Sequence, residues 1–203
     1  KKYLLERSKL LQSNNYDESW INSIEMNIAN SGIEIYDLRS EKIDNLNNNL
    51  KQINNSNKYP FNVKFQVLDN TFKKKPDLSK YLLDLKNSRE LDMKLGGSKI
   101  GPHKSDITVE INEKIEASQL STGQQKTIVL MSLIAQCDYL INNQNMKPIL
   151  LFDEICSHLD EINRKILLNL INSFDVQFFL TGTDKTLFSF MSTNANFYNI
   201  TDI

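Results

Sequence analysis

Residues Ile149-Leu150-Leu151-Phe152 run without a polar interruption straight into Asp153-Glu154. Four successive apolar residues do not suit a surface loop, so they read as a short buried strand of a parallel sheet. Such a strand delivers both carboxylates to its solvent-facing end. Two adjacent acids there suit magnesium–nucleotide chemistry, because Mg2+ takes oxygen ligands and keeps several waters. The plainer alternative is a strand end that carries two solvated acids.

The surrounding pattern is that of an α/β protein. Apolar residues Tyr3, Leu4, Leu10 and Leu11 share one helical face. A second helix is expected around Trp20, Ile21, Ile24 and Ile28, and a third through Ile35, Leu38, Leu46, Leu50 and Ile53, frayed by Asn47–Asn49 and Asn54–Asn57. The period then changes to two over Phe61, Val63, Phe65 and Val67, which predicts a half-buried strand. A basic loop, Lys73 to Pro76, precedes one amphipathic helix through Leu78, Leu82 and Leu85, ending before Gly96-Gly97. Alternation returns at Ile107, Val109 and Ile111, with Asn112-Glu113-Lys114 as a turn. From there the order is strand, helix, strand, helix, strand, with Val176 to Leu180 as a second buried strand, which implies βαβ units and a parallel sheet.

Composition narrows the classes. The chain has 203 residues, 40% hydrophobic and 24% charged, and its net charge is −1. Near-neutrality argues against binding nucleic acid through bulk positive charge, so any such contact must be local. Lys73-Lys74-Lys75 is one local candidate for phosphate contacts, a solvated loop being the alternative. No apolar run approaches the roughly 20 residues of a membrane helix, and Lys1-Lys2-Tyr3 opens no signal peptide, so a cytoplasmic location is expected. Cys137 and Cys156 form no metal-type pair and read as reduced core thiols. The start at Lys rather than Met leads us to expect that the chain continues upstream.

Two further motifs flank the acid strand. Leu120-Ser121-Thr122-Gly123-Gln124 opens an apolar helical run, which places Ser121 at or beside a helix N-cap. The unpaired N–H groups and positive dipole end there attract phosphate, and Gly123 allows close backbone approach. An ordinary capped helix is the alternative. Behind the acids come Ser157-His158-Leu159-Asp160, in which Asp160 is placed to cap the next helix through Ile162, Ile166 and Leu170.

In this order the three motifs resemble those of ABC-type ATPases. Leu120 to Gln124 is similar to their signature motif, Ile149 to Glu154 to their Walker B strand, and Ser157 to Asp160 to their D-loop. The resemblance implies that Ser121, Gly123, Gln124 and Asp160 meet a nucleotide held by a second subunit. Asp153 would hold Mg2+, and Glu154 would polarise the attacking water. A switch histidine expected after the second strand is absent from Leu180-Thr181-Gly182-Thr183-Asp184. Thr181 and Thr183 remain as candidate γ-phosphate sensors, and slow turnover is expected. A Walker A loop is also missing, since Gly96-Gly97-Ser98-Lys99 lacks its spacing and follows a charged helix.

Gly101-Pro102-His103-Lys104-Ser105-Asp106 resembles the Gly-Pro-His-Arg/Lys-x-Asp element of the bacterial RecF recombination proteins. So do the opening helix Tyr3 to Leu11, Ser118 to Lys126, and Gln177 to Asp184. The resemblance implies the second half of an SMC-like ATPase head. Residues 1–95 would form a helical arm subdomain with one or more short strands, and 96–203 the C-terminal part of the head. Its Walker A half would lie upstream. It further implies ATP and Mg2+ as cofactors, a homodimer closed by ATP on single- or double-stranded DNA at gaps or junctions, and RecO and RecR as partners in RecA loading. For His103 and Lys104 it suggests a contact near the nucleotide or the dimer face, a Pro-containing turn being the alternative. The isolated chain is expected not to hydrolyse ATP. Two other readings compete: a non-catalytic interaction lobe whose arm binds a protein partner, and the ATPase subunit of a membrane transporter.

Overall fold

The computed structural model describes residues 1–13, 16–55, 62–72, 75–154, 156, 159, 161–191 and 195–200, and of 54, 55, 162, 166, 170 and 171 the backbone alone. The helices are α1 (Lys2–Gln12), α2 (Glu18–Asn55), α3 (Leu78–Asn87), α4 (Arg89–Leu95), α5 (Thr122–Gln144) and α6 (Glu161–Ile171). The strands are β1 (Val63–Leu68), β2 (Asp106–Ile111), β3 (Ile115–Glu116), β4 (Leu150–Phe152) and β5 (Phe178–Leu180). They make a three-stranded sheet in the order β1-β2-β3 and a two-stranded parallel sheet, β4-β5. No helix among the described residues is long and apolar enough to cross a membrane.

The chain packs as two compact units, residues 1–44 with 65–108, and 45–64 with 109–203. The first is helical, around Ile24, Ile28, Ala29, Tyr36, Phe72, Tyr81 and Leu85. Two separate helices were expected over residues 20–53, yet α2 is continuous for 38 residues. Ser31-Gly32 is a weak breaker, since a mid-helix glycine costs only about 1 kcal/mol. Here Gly32 also has a packing use: a Cβ at this position would stand 2.5 Å from the Tyr81 ring. Asn49 does not fray the helix either, because its side-chain amide donates to the Ala135 carbonyl at 3.3 Å within the second unit. The single helix expected before Gly96 is likewise two, since the chain breaks at Ser88 between α3 and α4.

That break serves a buried ionic network. Arg7 of α1, 1% exposed, donates Nε to Glu25 Oε1 (2.8 Å), one terminal nitrogen to Asp92 Oδ2 (2.7 Å) and the other to the Leu85 carbonyl (2.7 Å). Ser88 gives its hydroxyl proton to Asp92 at 2.7 Å, and Arg89 closes on Glu25 from the other side at 2.7 and 3.0 Å. Two guanidinium groups therefore face two buried carboxylates, each charge hydrogen-bonded, which is the condition under which burial of charge is tolerable. Next to it, the Tyr36 hydroxyl donates to Asp69 at 2.6 Å, and Tyr36, Phe72 and Tyr81 meet edge to face. Burial pushes the Tyr81 phenol up to about 12, so it stays protonated across the physiological range.

The second unit is built on α5, which buries Ile128, Leu130, Met131, Ile134, Ala135 and Cys137. Leu50 and Ile53 from the end of α2, Phe152, Cys156, Leu159 and Leu167 are also buried in this unit. Both cysteines are buried and free, and burial raises both thiols above their ordinary value. The expected turn after β2 forms with Asn112 and Glu113 at φ 51° and 60°, and Lys114 N–H closes on the Ile111 carbonyl at 3.1 Å. Two successive left-handed residues match the right-handed twist of the β2–β3 hairpin.

Replacing Arg7 by Met strips Asp92 and Glu25 of a cation without rehydrating them. The intact protein carrying Arg7→Met is expected to lose about 3 kcal/mol of stability, the usual cost of halving a buried ion pair. A shift of the urea midpoint measures it.

Candidate functional site

β4 and β5 pair in register, Leu150 with Phe178, Leu151 with Phe179 and Phe152 with Leu180. Because the strands are parallel, both chains leave the sheet at the same edge. Asp153 and Glu154 therefore emerge beside Thr181, where the Thr181 N–H still bonds the Phe152 carbonyl at 3.0 Å. The Thr181 hydroxyl donates to Asp153 Oδ1 at 2.5 Å and accepts the Glu154 N–H at 3.0 Å. All three residues are exposed, as an acid pair that must meet a ligand requires. Glu154 lies at φ 48°, in the left-handed region that L residues with a Cβ enter at a cost.

The expectation of a buried strand holds for only part of β4. Phe152 is buried, but Leu151 is 72% exposed and its partner Phe179 is 51% exposed. A two-stranded sheet packed on one side leaves its alternate residues uncovered, since successive strand side chains point to opposite faces. An open apolar face is unusual for parallel strands, which are normally covered on both sides.

Ser121 is the N-cap of α5. Its backbone N–H donates to Gln124 Oε1 at 3.1 Å, and its hydroxyl lies 3.4 Å from the Gln124 N–H, a reciprocal capping box. This commits the Gln124 side chain to the cap. The amides of Thr122 and Gly123, in the first turn, have no intrahelical acceptor and belong to the positive end of a 23-residue helix. Gln125, which the sequence reading gave no role, anchors the preceding loop through its side-chain amide to the carbonyls of Ala117 (3.1 Å) and Leu120 (3.2 Å).

Thr183 is exposed and stands apart from the acid pair's hydrogen bonds; Asp184 caps the next short helix by accepting the Thr186 N–H at 2.8 Å. That bond holds the Asp184 carboxyl below its usual range. Ser157, His158 and Asp160 lie outside the described residues, as do Lys73 and Lys74.

The Gly101–Lys104 turn belongs to the first unit. Gly101 has φ 126°, and a Cβ there would collide with the Tyr81 hydroxyl. Pro102 is buried at the start of a 3-10 turn. His103 Nε2 is 3.0 Å from the Ser98 carbonyl, so that nitrogen carries the proton. Arg39, absent from the sequence-derived candidates, donates to the Pro102 carbonyl at 2.5 Å and to the Ser105 hydroxyl. These bonds make the turn a packing element of its unit, whereas Lys104 remains exposed.

An α/β core whose parallel strands end in an acid pair, preceded in sequence by a serine-capped helix, has the layout of an ATPase-head-like fold. The chain belongs to the RecF/RecN/SMC N-terminal domain family, whose model matches residues 29–202. It is 35% identical over 202 residues to the DNA replication and repair protein RecF of Rhizobium etli (strain CIAT 652), covering 97% of this chain and 54% of that protein. RecF of Rickettsia bellii (strain OSU 85-389) is 30% identical over 185 residues, 90% of this chain and 51% of the relative. The chain thus spans about half the length of the curated relatives it matches. Among solved structures, the recombination mediator protein RecF with ATP, of the RecFOR pathway, superposes with a TM-score of 0.73 at 23% identity, over 91% of this chain and 51% of that one. Its counterpart described as RecF-ATPrS gives 0.68 at 26% identity with the same coverage.

Gly182 follows the site directly, and a Cβ there would sit 2.7 Å from the Phe188 ring. Gly182→Ala is expected to cost about 1–3 kcal/mol through overpacking. Thermal melting of the intact protein should show it, with Gly97→Ala, where a Cβ meets open space, as the silent control.

Proposed function

We propose that this chain is the signature-and-Walker-B half of a RecF-like, ATP-dependent DNA-binding ATPase acting in replication and recombinational repair. In this reading residues 1–95 are its arm and 96–203 part of its head. The observation that carries it is the Asp153–Thr181–Glu154 corner at the carboxyl edge of the parallel strands. The open apolar face at Leu151 and Phe179 supports a further point: the sheet is completed by the segment that, in relatives twice as long, is not represented here.

The donor set fits a magnesium nucleotide. Among the described residues no three acidic, histidine or cysteine side chains stand together as a metal cage. Mg2+ needs none, because it is commonly held by one or two carboxylates together with phosphate oxygens and water. Asp153 would hold the ion, which supplies neutralisation of phosphate charge. Glu154 would orient the attacking water, and phosphoryl transfer depends mainly on such positioning. The amides at the start of α5, with Ser121 and Gly123, would receive the γ-phosphate of a nucleotide bound to a second copy, the arrangement favoured by a helix N-terminus. Asp160 would reach across the same dimer. DNA, RecO and RecR are the partners this reading assigns, and ATP closure would couple the dimer to DNA.

Two substitutions test the reading in the intact protein. Glu154→Gln keeps the geometry and removes the base, so ATP should accumulate a closed dimer that persists at least tenfold longer than wild type, in line with general-base loss. Ser121→Arg puts a long cation in the phosphate-facing cap and should abolish ATP-dependent dimerisation. Sedimentation with and without Mg-ATP reads both. Equal dimerisation of the two variants contradicts the assignment.

A further inference from the structure

We propose that Thr181 is a positioning residue for the acid pair rather than a sensor of the γ-phosphate. This rests on the reading of Asp153 and Glu154 as a magnesium–nucleotide site and deepens it. A threonine hydroxyl has one proton to give, and here it goes to Asp153 Oδ1 at 2.5 Å. While that bond stands, the hydroxyl has nothing to donate to a phosphate. Its lone pair meanwhile takes the Glu154 N–H at 3.0 Å. One side chain therefore fixes the carboxylate of the first acid and the backbone of the second.

The backbone that it fixes is the strained one. Glu154 sits at φ 48°, and such conformations persist only where neighbouring structure over-determines them. Thr181 is itself rigidly placed, because its N–H bonds the Phe152 carbonyl at 3.0 Å in continuation of the β4–β5 ladder. Sheet register is thus transmitted through one hydroxyl to both acids. With Oδ1 engaged, the Asp153 carboxylate is already oriented, and it would hold a cation from that fixed position. Partners of this kind, which hold a ligating carboxylate in place, typically change metal affinity 10- to 100-fold when removed.

The test is a Mg2+ titration of nucleotide binding, followed with a fluorescent ATP analogue on the intact protein. Thr181→Val keeps the shape and deletes the hydroxyl; it should raise the Mg2+ concentration at half-saturation at least tenfold. Thr181→Ser retains the hydroxyl and should titrate close to wild type. Melting temperature controls for folding, and if the valine variant is unfolded, Thr181→Ala carries the same expectation. A wild-type titration for the folded hydroxyl-less variant, or no rescue by serine, overturns the proposal. Asp153→Asn separates the two levels. If it weakens Mg2+-dependent binding while Thr181→Val does not, the site stands and the role of Thr181 falls. If Asp153→Asn titrates like wild type, the site itself is misassigned and the Thr181 proposal goes with it.

Discussion

Parallel pairing of β4 with β5 is the constraint on which the site depends. Three registered residue pairs bring Phe152 beside Leu180, and only because both strands run the same way do Asp153 and Thr181 leave the sheet together. An antiparallel arrangement would send them to opposite edges. The pairing also leaves Leu151 and Phe179 adjacent on the open face, so the geometry that assembles the acid corner also creates an uncovered apolar surface.

In the helical unit the corresponding constraint is electrostatic. Arg7 and Arg89 converge on Glu25 and Asp92, and the four charges draw together α1, α2 and the α3–α4 corner. Such a network gives little net stability over an apolar core, but it is intolerant of partial loss. Tyr81 works beside it as a packing post, its ring against Gly32 and its hydroxyl against Gly101. The Gly-Pro-His-Lys turn packs against this post and is held by Arg39.

What the sequence made legible was whatever depends on local pattern. The serine cap of α5, the hairpin turn at Asn112-Glu113 and the acids at the end of an apolar strand all follow from neighbours within a few residues. Contacts between distant residues were hidden. Nothing near Gly32 announces Tyr81, so α2 was read as two helices, and nothing near Arg7 announces Asp92, 85 residues away. The exposure of Leu151 is not legible in the sequence either, because four apolar residues show that a strand wants cover, not that cover is present. Thr181 was found as a hydroxyl beside a missing histidine; that its proton goes to Asp153 required the register of two strands.

The most direct test of the account is a structure of the intact protein with Mg2+ and a non-hydrolysable ATP analogue. The account predicts a dimer in which Asp153 lies at the metal, Glu154 faces the γ-phosphate, and Ser121 and Gly123 of the other copy contact that same phosphate. A nucleotide bound away from Asp153, or a dimer that leaves the start of α5 facing solvent, would contradict it.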